Sequence, residues 1–351
     1  MKSHTHERRG LAHVIAAASL SLVVSCGGSA TSVGQSGAPT PAFLVSETAD
    51  LFSQLELGPF ASPHSGTRLV EVYDHSDGET TTATYHELVA VDSQGDFSVV
   101  PLHANSPGLD NEIFLGQLEQ HVGFHFRYRD FLIRDVNAFT SNFMLTADSS
   151  TTVPFLDRDC IQVLVEPSGS TGARHDLLVD AETGLVVASQ TVDAISGELL
   201  MRTSFVTLSI GEPAEFEPFS AGNQEQVVDL SQPLAEQVGF APTLPSYLPD
   251  GFVVSTASKV VDPLGVEWFL LTCTNGVDPL FVLQQAGTLA GSPGVWIDPD
   301  QIDDTPVASE LVYFQNGNVT AMYGNVDGGR RMVVGVGSLL DLQLTLESTL
   351  F

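Results

Sequence analysis

Three arginines stand close together near the middle of the chain and are the clearest candidates for binding chemistry. Arg127, Arg129 and Arg134 lie within eight positions, and arginine side chains bind phosphates and carboxylates through paired hydrogen bonds. In a chain with 43 acidic residues and only 13 lysines and arginines, such a cluster is a candidate site for an anionic head group. The alternative is that these arginines pair with neighbouring acids such as Asp130 and Asp135.

Aromatic residues alternate with basic ones in the same region, and the alternation predicts a strand from Phe124 to Ile133. Successive side chains of a strand point to opposite faces, so Phe124, Phe126 and Tyr128 would share one face. We expect this aromatic face either to line an apolar cavity or to belong to an ordinary sheet core. An amphiphile would contact the cavity with its tails and the arginines with its head group.

The sequence contains no complete catalytic or metal-binding motif. The segment 86–90 begins like the helix of a zinc protease but lacks the second histidine. His121 and His125 have helical metal-ligand spacing, although the pattern around them turns strand-like, and the acidic residues from Asp298 to Asp304 depart from calcium-loop spacing. We therefore predict that the protein is not an enzyme, uses no cofactor and has no metal site.

The charge of the chain argues against nucleic acid as a partner. The formal net charge is −30, and it becomes −32 when residues 1–25 are removed. Binding to phosphate backbones requires clustered lysines and arginines. Lys259 is the only lysine beyond residue 25, which also excludes a Walker-type phosphate-binding loop.

Residues 1–25 have the features of an export signal. Lys2, Arg8 and Arg9 precede an apolar run from Leu11 to Val24. This run is shorter than the ~20 residues that a membrane-spanning helix needs. A positively charged start, a short apolar stretch and small residues near its end are typical of a secretory signal.

The end of this signal, Val23-Val24-Ser25-Cys26, resembles a bacterial lipobox, in which the signal is cut before the cysteine and the cysteine is lipidated. We expect Cys26 to anchor the chain in a membrane and residues 26–39 to form a flexible tether. Gly27 after the cysteine favours the periplasmic face of the outer membrane. The alternative is an ordinary signal peptide with a chance cysteine.

Hydrophobic patterns divide the rest of the chain into two units joined by a linker. We predict an antiparallel sheet domain over residues 40–210, a linker over 211–230 and a smaller α+β domain over 231–351. Helices are predicted at 43–57, 110–122, 233–238 and 339–350. Strands are predicted at 67–73, 80–91, 97–102, 124–133, 160–166, 174–180, 185–192, 199–210, 252–261, 268–274, 280–285, 311–315, 318–323 and 332–336.

Two cysteines remain after Cys26, and both lie in strand-like apolar runs. Cys160 and Cys273 are 113 residues apart and fall in different predicted domains. We expect two buried free thiols, although an exported protein could oxidise them to a disulfide.

Two stretches resemble a known family. The first runs from Leu156 to Leu200 through the Glu182-Thr183-Gly184 turn, and the second is Leu248-Pro249-Asp250-Gly251-Phe252 with the later region 317–337. Both are similar to the sigma-E regulatory protein family (RseB/MucB). In that family the larger domain shares the fold of the lipoprotein carrier LolA.

The resemblance implies an α+β protein that is mostly β, with a curled antiparallel half-barrel and two helices followed by a smaller domain. It implies an apolar or lipid-like ligand in the larger domain. The smaller domain would help to engage a membrane-bound anti-sigma factor. The leading hypothesis is therefore a lipid-anchored periplasmic sensor of envelope stress. The alternative is a carrier or chaperone for lipids or lipoproteins.

Overall fold

Two antiparallel sheets make up most of the structure. The computed structural model describes residues 45–75, 80–105, 129–169, 172–213, 224–261, 267–286, 312–316, 319–326, 329–336 and 338–349. Within these ranges the strands form one sheet of eight and one of seven. None of the described helices is both long and apolar enough to cross a membrane.

The first sheet has the strand order β3-β2-β1-β8-β7-β6-β5-β4, so β3 and β4 are its edges. Both edge strands contain a proline, Pro101 in β3 and Pro154 in β4, which limits edge-to-edge pairing with other chains. Its strands are β1 His64–Asp74, β2 Thr81–Val91, β3 Phe97–Asn105, β4 Phe143–Phe155, β5 Arg158–Pro167, β6 Ala173–Asp180, β7 Val186–Asp193 and β8 Leu199–Ile210.

One face of this sheet is buried. Two helices and the irregular segment 129–135 cover it. Helix α1, Val45–Leu57, places Leu51 and Leu55 in the core, and helix α2, Val136–Asn142, adds Phe139. Asp135 caps α2 by accepting a hydrogen bond from the backbone nitrogen of Ala138 at 2.7 Å. These residues pack against a strand cluster of Val163, Val165, Leu177 and Val179.

The second sheet has the order β13-β14-β15-β12-β11-β10-β9. Its core contains Phe269, Leu271 and Val282, together with Leu342 and Leu346 of the C-terminal helix. The strands are β9 Gln224–Val227, β10 Val253–Val261, β11 Glu267–Thr274, β12 Pro279–Ala286, β13 Val312–Asn316, β14 Val319–Val326 and β15 Gly329–Gly335. The helices are α3 Leu234–Val238 and α4 Leu339–Glu347.

The predicted class, α+β and mostly β, is confirmed, and the four strands predicted at 160–166, 174–180, 185–192 and 199–210 are present as β5 to β8. Cys160 and Cys273 are confirmed as free and buried. Burial raises the pKa of the Cys160 thiol to about 11 and that of Cys273 to about 12, so both thiols stay protonated and unreactive at neutral pH.

Three expectations need correction. The first sheet is open, since its edge strands β3 and β4 do not pair, and it is uncurled where a curled half-barrel was expected. The described end of the predicted 124–133 strand has no strand structure, and strand β4 was not predicted. Strand β9 lies within the predicted linker and pairs with β10.

The predicted helix 110–122 lies outside the described residues, as do His121, His125 and the acidic loop 298–304.

Candidate functional site: the joint between the two sheets

Four charged side chains form a buried cluster on the covered face of the first sheet. Arg68 of β1 and Glu87 of β2 are direct cross-strand partners, and Arg68 donates hydrogen bonds to Glu87 and, at 2.6 Å, to Asp130. Arg129 donates to Glu87 at 2.8 Å and to Asp130 at 2.9 Å. The four side chains are at most 7% exposed, and their charges cancel.

The surroundings of Glu87 keep the cluster ionised. Burial by itself raises the pKa of Glu87, but Arg129 and Arg68 outweigh burial and bring that pKa down to about 2. Arg129 also donates to the hydroxyl of Tyr85 at 2.7 Å, and burial raises the pKa of Tyr85 to about 12. Removing one partner from such a cluster leaves a buried unpaired charge, which costs about 3–5 kcal/mol.

The turn between β11 and β12, Asn275–Asp278, reaches from the second sheet into the core of the first, and we call it the joint turn. The backbone nitrogen of Arg134 donates to the carbonyl oxygen of Gly276, and its Nε donates to that of Val277, both at 2.8 Å. Val277 is 4% exposed and belongs to the same hydrophobic cluster as Leu55 and Phe139. The joint turn is therefore part of the first sheet's core.

The sequence of the joint turn explains its shape. The Asn275 Oδ1 accepts from the backbone nitrogens of Val277 at 3.1 Å and Asp278 at 2.8 Å, as asparagine side chains commonly do in turns. Gly276 has a φ of +112°, and a Cβ there would lie 2.3 Å from the backbone nitrogen of Phe139. Only glycine combines this backbone conformation with so close an approach.

Asn142 and His175 contact the joint turn from either side. Asn142, the last residue of α2, donates to the carbonyl oxygens of Asn275 and Gly251, both at 2.9 Å. On the other side, the Nε2 of His175 in β6 lies 3.6 Å from the Oδ1 of Asp278, and both side chains are buried. Burial by itself raises the pKa of Asp278, but His175 and Asn275 outweigh burial and leave that pKa below its ordinary value.

The structure places the two described arginines of the predicted binding site at separate contacts. Arg129 lies in the buried charge cluster, where it pairs with Asp130 as one sequence hypothesis expected. Arg134 holds the joint turn, while Asp135 caps α2 instead of forming an ion pair with it. Phe124, Phe126, Arg127, Tyr128 and Cys26 lie outside the described residues.

Sequence reasoning missed Arg68, Glu87, His175 and Asp278. The partners of Arg68 are 19 and 62 residues away, so no local pattern connects them. The Asn275-Gly276 pair does predict a turn, but nothing in the sequence shows that this turn enters the first sheet's core.

A second polar feature of the first sheet lies where β5 begins and β6 ends. A cavity of about 380 Å³ is lined by Asp157, Arg158, Asp159, Asp180, Ala181 and Glu182. Arg158 forms ion pairs with Asp180 and, at 2.8 Å, with Glu182. In the described ranges no three histidine, cysteine, aspartate or glutamate side chains converge as metal ligands.

Comparisons with known proteins return solved structures, among them three that contain MucB. No family model and no curated protein matches the chain. MucB in complex with MucA(peri) is similar with 17% identity over 85% of this chain and 96% of the other, at a TM-score of 0.48. The MucA/MucB complex of Pseudomonas aeruginosa has 16% identity over 86% and 97%, at 0.46. MucB alone has 18% identity over 86% and 97%, at 0.47.

These structures carry the name of the RseB/MucB family, to which the sequence motifs are similar. At such identities the likeness is one of fold alone.

Glu87→Gln tests the charge cluster through the pH dependence of stability. The depressed pKa of Glu87 stabilises the folded wild type fully above about pH 4.5, and this contribution is lost as the pH falls towards about 2. The variant should be less stable at neutral pH and should lose less further stability on acidification. Urea unfolding at several pH values measures both. The control is Glu56→Gln at an exposed position of α1, and equal pH slopes for Glu87→Gln and wild type would contradict this role.

Gly276→Ala tests the fit of the joint turn. The added Cβ meets the backbone of Phe139, so we expect the free energy of unfolding to fall by about 2 kcal/mol or more. Gly197→Ala is a matched control, because Gly197 also has a positive φ, +75°, but no atom lies within 4 Å of its added Cβ. Urea unfolding compares the two, and an equal loss in both variants would show that backbone strain alone is responsible.

Proposed function

We propose that this chain is a lipid-anchored, exported sensor that binds the periplasmic part of a membrane protein, such as an anti-sigma factor. The observation that carries this proposal is the buried joint turn. Val277 of the second sheet packs inside the core of the first, and Arg134, Asn142 and His175 of the first sheet contact the same turn.

A sensor and a carrier make different demands on this joint. A carrier needs a cavity in the larger sheet, whereas a sensor needs an event at one sheet to alter what the other sheet presents to a partner. A close-packed contact transmits small displacements because it has few alternative arrangements. The joint turn is such a contact, and it favours the sensor over the carrier or chaperone.

The class of partner follows from the sequence resemblance. Two of the similar solved structures are complexes of MucB with MucA. By analogy, the partner of this chain would be the periplasmic domain of a membrane-bound anti-sigma factor. The predicted domains 40–210 and 231–351 would both take part.

The proposed anchor is Cys26, which would hold the folded body at the periplasmic face of the outer membrane. Two or more acyl chains give stable membrane attachment. The predicted tether of residues 26–39, with its glycines and serines, would let the acidic body stand away from anionic lipids.

An amphiphile remains a proposed second ligand, with Phe124, Phe126 and Tyr128 contacting its tails and the arginines its head group. Arg129 is fully engaged in the buried cluster, so Arg127 is the better candidate for the head-group contact. Co-purified lipid, identified by mass spectrometry after solvent extraction, would support this part of the proposal.

The partner hypothesis predicts binding that depends on the joint turn. Purified residues 27–351 should bind the purified periplasmic domain of an anti-sigma factor from the same genome with micromolar or tighter Kd in isothermal titration calorimetry. Gly276→Ala should weaken this binding at least tenfold, whereas Gly197→Ala should not. Absence of binding by the wild type would overturn the proposed partner, and equal binding by both variants would remove the joint from the mechanism.

The anchor hypothesis predicts a change of location when Cys26 is replaced. In cells fed labelled palmitate, the wild type should be labelled and should sediment with membranes. Cys26→Ala should be unlabelled and absent from the membrane fraction, while Cys273→Ala, which removes a buried thiol, should still be labelled. A wild-type protein without label would refute lipidation.

A further inference from the structure

Two histidines face each other on the exposed side of the first sheet. His86 of β2 and His103 of β3 are direct cross-strand partners in the register. Their ring centroids are 6.4 Å apart, with ring planes at 77°. The next residue along β2, Glu87, is fully buried on the other side of the sheet, so His86 points away from the charge cluster.

The ring nitrogens of these two histidines are unengaged among the described residues, in contrast to those of the other three described histidines. The Nδ1 of His64 contacts the carbonyl oxygen of Ser62 at 2.8 Å, and the Nε2 of His75 contacts that of Leu199 at 2.7 Å. The Nδ1 of His175 lies 3.4 Å from the Oγ1 of Thr191, and its Nε2 lies 3.6 Å from the Oδ1 of Asp278, beyond hydrogen-bond distance. No hydrogen bond or ion pair to another described residue occupies a ring nitrogen of His86 or His103.

The strands beneath the pair hold it in a defined place. Glu87 anchors β2 through hydrogen bonds from Arg68 and Arg129, and Pro101 stands opposite Glu87 in β3. The register shifts between His86 and Glu87, and such bulges commonly redirect a side chain. Ligands on fixed strands bind a metal with less loss of side-chain freedom than ligands on loops.

We propose that His86 and His103 form a two-histidine site for a divalent transition metal, Cu²⁺ or Zn²⁺. Imidazole nitrogen suits both ions and binds Zn²⁺ at about 2.0–2.1 Å, so the two nitrogens must come within roughly 4 Å of each other. The ring centroids are now 6.4 Å apart, so the site requires side-chain rotation to bring the two nitrogens to that separation. Water fills the remaining coordination positions, and the net charge of −30 raises the local concentration of cations.

The chemistry of the ligands defines the selectivity. Ca²⁺ and Mg²⁺ require oxygen ligands, and neither histidine supplies one. Cu²⁺ binds nitrogen sites more tightly than Zn²⁺ does, so we expect Cu²⁺ to have the higher affinity. The two histidines are 17 residues apart, and only the pairing of β2 with β3 brings them together. No local spacing in the sequence therefore indicates this site.

Calorimetric titration with CuCl₂ or ZnCl₂ tests the site directly. Residues 27–351 lack Cys26 and retain two buried thiols whose raised pKa values leave them poor ligands at neutral pH. After removal of affinity tags and bound metal, the wild type should bind one more equivalent than His86→Ala or His103→Ala, or bind it at least tenfold more tightly. His75→Ala should behave as wild type, and unfolding midpoints should show that all variants fold.

Electron paramagnetic resonance of the Cu²⁺ complex gives a second readout. Nitrogen hyperfine splitting from two imidazoles should appear in the wild type and in His75→Ala and be lost in both site variants. Metal binding that is unchanged in the His86→Ala/His103→Ala double variant would overturn the proposal, as would a wild type that binds neither ion. This test is independent of the proposed partner and lipid anchor.

Discussion

The structure depends on one packing constraint, the insertion of a turn from one sheet into the core of the other. Val277 occupies a position among the helices and strands of the first sheet, and Gly276 lies so close to Phe139 that no side chain fits there. The second sheet therefore completes the core of the first. Such an arrangement ties the stability of the two sheets together, since withdrawal of the turn would leave a cavity, exposed apolar surface and unpaired polar groups.

The buried charge cluster also supports the joint between the two sheets. Arg68, Glu87, Arg129 and Asp130 fix the beginning of the segment that continues to Arg134 and α2, and that segment forms one wall around the joint turn. Ion pairs of this kind contribute little net stability compared with apolar packing, but breaking one is costly. In this protein they position the segment that begins at Arg129, and Arg134 in that segment then donates hydrogen bonds to the carbonyl oxygens of the turn.

Local patterns in the sequence predicted much of the sheet structure but little of the joint. Strand β8 has the predicted bounds, 199–210, because it is rich in apolar and β-branched residues and Gly197 and Gly211 lie close to its ends. Strand β4 escaped prediction because its middle is rich in serine and threonine and interrupted by a bulge. The irregular course of residues 129–135 could not be inferred either. The alternation around Arg129 predicts a strand, whereas its charged partner Glu87 in β2 lies 42 residues away in sequence and no local pattern shows it.

A double-mutant cycle between His175 and Asp278 is the most direct test of coupling between the sheets, because each residue belongs to a different sheet and the pair meets only at the joint turn. Urea unfolding of the wild type, His175→Ala, Asp278→Ala and the double variant gives their interaction energy. Coupling through the joint predicts a favourable interaction of about 0.5 kcal/mol or more. Strictly additive losses would contradict it.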